Sequence, residues 1–164
     1  MAGTTGTLTD SVVALLTSRE SGINVRIGAI ESGDGALKAI GIRYISAQNV
    51  SVEIAEKAGH AQYPALLVYC EKVQNLLKEK FRQFSGQVHL VIEVRHSQDK
   101  LDKIEQNTQM YADAVCALLD DSRGDWGDGA FYAGGYQVSY EPVVKGGKNF
   151  LQRAKVNFAL EVSD

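Results

Sequence analysis

Three histidines, a Gly/Asp-rich run and a Gly-Gly-Lys-Asn stretch are the places where this sequence could hold a metal ion or a phosphate. His60 sits in a polar stretch, His89 on the polar side of an alternating run and His96 at the end of that run. No two of them have the spacing that lets imidazoles share an ion. Asp121, Asp125 and Asp128, set among glycines, have the outline of a calcium loop. However, Arg123 takes a liganding position and the closing glutamate is missing, so the run reads as an acidic loop carrying Trp126. "GGKN" looks like the end of a phosphate loop, but Pro142 stands where the upstream Gly is required. Asn149 follows the Lys where Ser or Thr would bind magnesium. There is no G-x-S-x-G, no H-E-x-x-H and no carboxylate pair that can be set across a cleft. The expectation is a protein with no catalytic residue, cofactor or metal. Trp126, Phe131, Tyr132 and Tyr136 could stack bases, yet no basic groove surrounds them, and a core or interface role fits better.

The elements that would position such groups follow from composition and period. The 164 residues suffice for one domain, spanning 1–164, that buries about 70% of its unfolded surface. With 45% apolar and 23% charged residues the chain belongs with soluble globular domains. No apolar run reaches the roughly 20 residues of a membrane span, and "MAGTTGTLTD" has no signal-peptide pattern, so a soluble protein made in the cytoplasm is expected. Cys70 and Cys116 fall in apolar settings and read as free thiols. A net charge of −3 argues against binding phosphate backbones, which draws its energy from Lys and Arg releasing counterions.

Along the chain, "TDSVVALLTSRE" reads as a first helix with Thr9 or Asp10 as its cap. "INVRIGAI" alternates Ile23, Val25, Ile27 and Ala29, and with a turn at Ser32–Gly35 and the following "ALKAIGIRYIS" it predicts a strand pair. "QNVSVEIAEKAGH" is a short helix or an ordered loop. "YPALLVYC" is apolar on both parities, as a central strand covered on both faces would be. "EKVQNLLKEKF" fits either a helix or an extension of that strand. "QVHLVIEVRH" puts Val88, Leu90, Ile92 and Val94 on one face of a strand. The longest helix is expected from Ser97 as N-cap, with Asp99 and Asp102 in its first turn and a stripe through Leu101, Ile104, Thr108, Tyr111, Val115, Leu118 and Leu119. "RGDWGDGAFYAGG" is assigned to a loop. "YQVSYEPVV" and "AKVNFALEV" form two strands around "KGGK". The order predicts an α+β fold: a mainly antiparallel sheet with one long and one or two short helices on one face, and a long C-terminal β-hairpin.

In that hairpin Ala154, Val156, Phe158, Leu160 and Val162 share one parity. Turning at Gly146 and Gly147 gives arms of roughly 40 Å at strand rise. Pro142 belongs at an edge or a break in pairing. The tip from Pro142 to Leu151 is therefore expected to project beyond the sheet, with Phe150 and Leu151 on opposite faces and one of them lacking a home in the monomer. A competing reading makes Lys145 and Lys148 a solvated tip that blunts an edge.

Taken in order, "YPALLVYCEKV", "FSGQVHLVIEVRHS", "YADAVCALL", "RGDWGDGAFYAGGYQVSYEPV" and "GGKNFLQRAKVNFALEV" resemble the tail-terminator or tail-completion proteins of long-tailed bacteriophages over residues 40–164. The resemblance implies a small structural virion subunit, assembled in the host cytoplasm, that forms a ring, usually hexameric, on the tail tube. The ring would end tube polymerisation and join the tube to a head-side connector protein, and genome DNA would pass through its lumen without specific binding. Contact elements implied for such a ring are Trp126 and Tyr132 in the acidic loop, with Lys145, Gly146, Gly147, Lys148, Asn149, Phe150 and Leu151 at the hairpin tip. Another head–tail neck protein is the alternative, and a small ligand-binding enzyme using the Gly/Asp run is a further one.

Overall fold

A computed structural model describes residues 4–30, 37–59 and 61–164. Its order is α1 (Thr4–Thr17), α2 (Ile23–Ala29), a 3-10 turn at Ile42–Tyr44, β1 (Ile45–Ser46) and α3 (Val52–Lys57). There follow β2 (Ala65–Asn75), β3 (Ser85–Gln98), α4 (Ile104–Asp120), β4 (Gly124–Gly127), β5 (Ala130–Tyr132), β6 (Gln137–Tyr140), β7 (Val144–Gly146) and β8 (Asn149–Ser163). The fold is α+β. One eight-stranded sheet runs β1-β2-β3-β8-β5-β4, with β6 and β7 also on β8; every pairing is antiparallel except β1 with β2.

The period-two alternation of β8 decides which face is buried. Ala154, Val156, Phe158, Leu160 and Val162 point to one side and meet Val88, Leu90, Ile92 and Val94 of β3 and Leu66 and Val68 of β2. On this face lie Leu8, Val12 and Leu16 of α1, Ile23 and Ile27 of α2, and Tyr111, Val115, Leu118 and Leu119 of α4. The core thus sits between one sheet face and three helices.

Several expected elements differ. "INVRIGAI" is helix α2, because Ile23 and Ile27 satisfy helical spacing as well as alternation, and Val25 stands 47% exposed. Asn24 of α2 then clasps the chain at Ile40, accepting from its N–H and donating to its C=O, both at 2.8 Å. Among the described residues of "ALKAIGIRYIS" only Ile45–Ser46 pairs as strand. The turn expected at Ser32–Gly35 lies outside the described residues. α1 begins at Thr4, so Thr9 and Asp10 are interior to it and do not cap it. The residues 52–57 form helix α3, capped by Ser51. The strand from "YPALLVYC" continues to Asn75, settling "EKVQN" as strand; it pairs with β3 along one edge and only with the two-residue β1 along the other, so the central position belongs to β3.

The long helix starts at Ile104, not after Ser97, which remains in the ladder opposite Leu151 and donates its hydroxyl to the Phe150 carbonyl at 2.7 Å. Asp99 and Asp102 therefore precede the helix, and Leu101 is exposed and outside its stripe. Gln98 holds the intervening turn, donating to the carbonyls of Lys100 and Asp102 at 2.7 and 2.6 Å and accepting from Asn107 at 3.1 Å. The run "RGDWGDGAFYAGG" is not a loop throughout: it contains the β4–β5 hairpin. Its turn residues Asp128 and Gly129 have φ of 51° and 79°, the two positive values of the Asp-Gly hairpin turn.

The base of β3 is closely packed against β2. A Cβ at Gly86 would lie 1.9 Å from the Gln74 carbonyl oxygen. Gly86→Ala is expected to lower stability by about 1–3 kcal/mol, as overpacking does. The check is the midpoint of urea unfolding; a wild-type midpoint would mean that the two strands can part there without loss.

Candidate functional site

Three surface features and one cavity carry the polar or exposed apolar groups that the core does not use. The first is the C-terminal hairpin. Its turn is Gly147–Lys148, one residue beyond the expected Gly146–Gly147, with Gly146 opposite Asn149. The inner arm does not project, because Phe150 and Leu151 pair with Gln98 and Ser97 of β3. Leu151 is fully buried and Phe150 half-buried, so the side chain expected to lack a home has one. What remains on the surface is Val144, Lys145, Gly147, Lys148 and Asn149, with Gly146 close to Glu56 of α3. Pro142 lies between β6 and β7, where the pairing of the outer arm is interrupted.

The β4–β5 hairpin is the second feature. Tyr132 is buried, its ring edge-on to Phe158 at 5.6 Å and to Trp126 at 6.0 Å. Trp126 is half-buried and donates its indole N–H to the Ser122 carbonyl at 2.8 Å. Both are packing residues, whereas Phe131 and Tyr136 of the expected aromatic cluster face outward. The acidic groups stand outside them: Asp125 and Asp128 are exposed and have no ion pair among the described residues. Asp125 accepts the Gly127 N–H at 2.8 Å, and Gly129 accepts the Ser163 N–H at 3.0 Å, which clamps the turn to the end of β8.

Sequence reasoning missed the third. Between β2 and β3, Leu76, Leu77 and Phe81 are exposed, Phe81 completely. The loop is held all the same. The Asn75 side chain accepts from Leu77 and Ser85 N–H and donates to the Gln83 carbonyl, and the Ser85 hydroxyl accepts from Glu79 N–H at 2.8 Å. A signal was present in the leucines and phenylalanine of "NLLKEKF", but helical spacing explained them equally well.

On the sheet face away from α1, α2 and α4, polar side chains are buried. Glu93 and Arg95 form an ion pair at 2.6 Å with side chains 4% exposed each. The Tyr69 hydroxyl donates to Glu93, and Arg95 donates to the Val50 carbonyl. Burial and the adjacent Glu93 carboxylate push the Tyr69 phenol well above its ordinary range. Arg95 forms part of the wall of a cavity of about 480 Å³ with Arg43, Tyr44, Gln48, Gln62 and Tyr63, and among the described residues no carboxylate lines it. Tyr63, pushed up to about 12 by burial and by Glu56, stays a neutral donor to Glu56.

His60 lies outside the described residues. His89 meets Gln74 at 3.1 Å, and His96 is buried against the Tyr111 ring. No group of three metal-binding side chains occurs among the described residues. Both cysteines are free thiols, and burial pushes Cys116 up to about 11. Among the described residues no helix is long and apolar enough to cross a membrane. No family model matches the chain, and no curated protein matches it.

Two outcomes follow from these groups. Glu93→Ala would leave the Arg95 charge buried and unpaired and is expected to cost about 3–5 kcal/mol in chemical unfolding. His96 is the second case. Burial holds its imidazole below the ordinary 6.5, so the unfolded chain takes up a proton before the native one does. Its contribution is complete above pH 6.5 and declines as the pH falls below that. His96→Gln should flatten the loss of stability between pH 6.5 and 5 in thermal melts, and an unchanged slope would assign that loss to other groups.

Proposed function

We propose that this protein is a structural subunit that caps a phage-type tail tube: copies form a ring, usually of six, that ends tube polymerisation and offers a surface to a head-side connector. The observation that carries the reading is the β2–β3 loop. Its backbone is tied down by Asn75 and Ser85 while Leu76, Leu77 and Phe81 face solvent. Large apolar side chains held rigidly on a surface are the usual mark of a protein-docking site, since leaving them in water forfeits burial energy. The α+β fold supports the reading through its free hairpins, and the order of segments through its resemblance to tail-terminator proteins. The partners are further copies of the chain, the tube protein and the connector protein. A net charge of −3 suits a ring through which DNA passes without being gripped.

Electron microscopy of polymerising tube subunits mixed with the protein tests this. The expected result is extra density at one tip and a shorter length distribution. Leu77→Asn with Phe81→Ser should melt like the wild type yet fail to cap, Asn being chosen because position 77 has φ of 48°. Deletion of residues 143–149 should likewise leave a folded monomer, since β8 from Phe150 onward keeps its ladder with β3. Tubes of unaltered length with bare tips would sink the proposal.

A further inference from the structure

We infer that the cavity walled by Arg43 and Arg95 is the socket for the acidic β4–β5 turn of a second copy of this chain. The inference rests on the ring reading above and names the contact that closes the ring.

The two features lie at opposite margins of one sheet. β1, which follows directly on Arg43 and Tyr44, is the first strand in the order and β4 is the last, five steps away. At an interstrand spacing of about 4.8 Å that separates them by roughly 24 Å. They also sit at opposite ends of the long strands. β1 pairs with β2 at Leu66 and Leu67, next to Val94 and Glu93, whereas β5 pairs with β8 at Glu161 and Val162, next to Gln87 and Gly86. Two complementary patches at opposite margins cannot meet within one molecule. Between molecules they make a head-to-tail contact, the type that closes into rings.

Charge selects the occupant. Among the described residues no carboxylate lines the cavity and Glu93 already neutralises Arg95, which leaves Arg43 as an uncommitted cation: it is exposed and has no ion pair among those residues. The β4–β5 turn supplies the opposite sign. Asp128 stands at its apex between Gly127 and Gly129, neither of which carries a side chain that would obstruct entry, and Asp125 flanks it on the same hairpin. The turn is rigid, fixed by three successive positive φ values and by the bond from Ser163 to Gly129. A preformed turn loses little conformational freedom on docking. In the socket the Asp128 carboxylate would accept the paired N–H groups of Arg43, the arrangement in which a guanidinium binds most strongly.

The test is charge removal and exchange in the full chain. Asp128→Asn keeps the turn chemistry without the charge, Arg43→Glu reverses the socket, and Arg43→Glu with Asp128→Lys exchanges the two signs. Assembly is followed by mass photometry, alone and on tube ends, with melting temperatures confirming the fold. Each single variant should raise the concentration for half-assembly by about tenfold or more, and the exchanged pair should recover most of it. Wild-type assembly should also weaken as salt rises. If the wild type forms no closed assembly even on tubes, the ring reading fails and the socket with it. If it does assemble and the single variants assemble equally well, the ring stands and the socket is wrong. Loss of tube binding by Arg43→Glu with assembly intact would assign the cavity to another protein and overturn the inference.

Discussion

The antiparallel ladder between β3 and β8 is the constraint on which everything else hangs. From Ser85 opposite Ser163 to Gln98 opposite Phe150 the two strands stay in unbroken register. Side chains alternate, so this one register places Val88, Leu90, Ile92 and Val94 with Ala154, Val156, Phe158, Leu160 and Val162, and a slip by one residue would turn one of the two sets to the opposite face. The face so formed gives α1, α2 and α4 their common floor. The far side of β8 is shared out among β7, β6 and β5, each covering a few residues, which leaves short hairpins where a single long edge strand would invite aggregation.

What could be read from the sequence follows the strength of its period. β8 alternates from Arg153 to Val162 and β3 carries the same period at Val88, Leu90, Ile92 and Val94, a pattern that a helix does not accommodate. The stripe of α4 from Ile104 to Leu119 was equally plain, but its start was not. Ser97 is an excellent cap residue in isolation, and only the ladder partner Leu151, 54 positions later, keeps it in the strand. α2 misled because Ile23 and Ile27 suit both periods; the clasp of Asn24 on Ile40 and the packing on α4 decide it, and neither is local. The β4–β5 hairpin was legible in principle. Asp128-Gly129 is a strong hairpin turn signal, but the surrounding glycines and aspartates outweighed it.

The candidate surfaces were half legible for a related reason. Composition shows that Leu76, Leu77 and Phe81 exist but not that they point outward, since exposure depends on how Asn75 and Ser85 tie the backbone. Trp126, Tyr132 and Leu151, expected at an interface, are drawn inward by Phe158 and by the β3–β8 ladder. Arg43 and Arg95 are 52 positions apart in sequence and become neighbours only because β1 lies beside β2 and β2 beside β3.

The same economy appears at each exposed feature. The apolar β2–β3 loop is tied by Asn75, the acidic turn by Ser163, and the basic tip by the pairing of Gly146 with Asn149. All three are extensions of β2, β8 or their direct partners, so the ladder that builds the core also fixes the groups that face solvent. Ordering a loop at the moment of contact would consume interaction energy, at roughly 0.5–1.5 kcal/mol for each rotamer-rich side chain immobilised. Here most of the backbone ordering is completed during folding, where the β3–β8 core offsets it. If copies assemble as proposed, small contact patches suffice, because the second and later contacts in a closed assembly are made within one body.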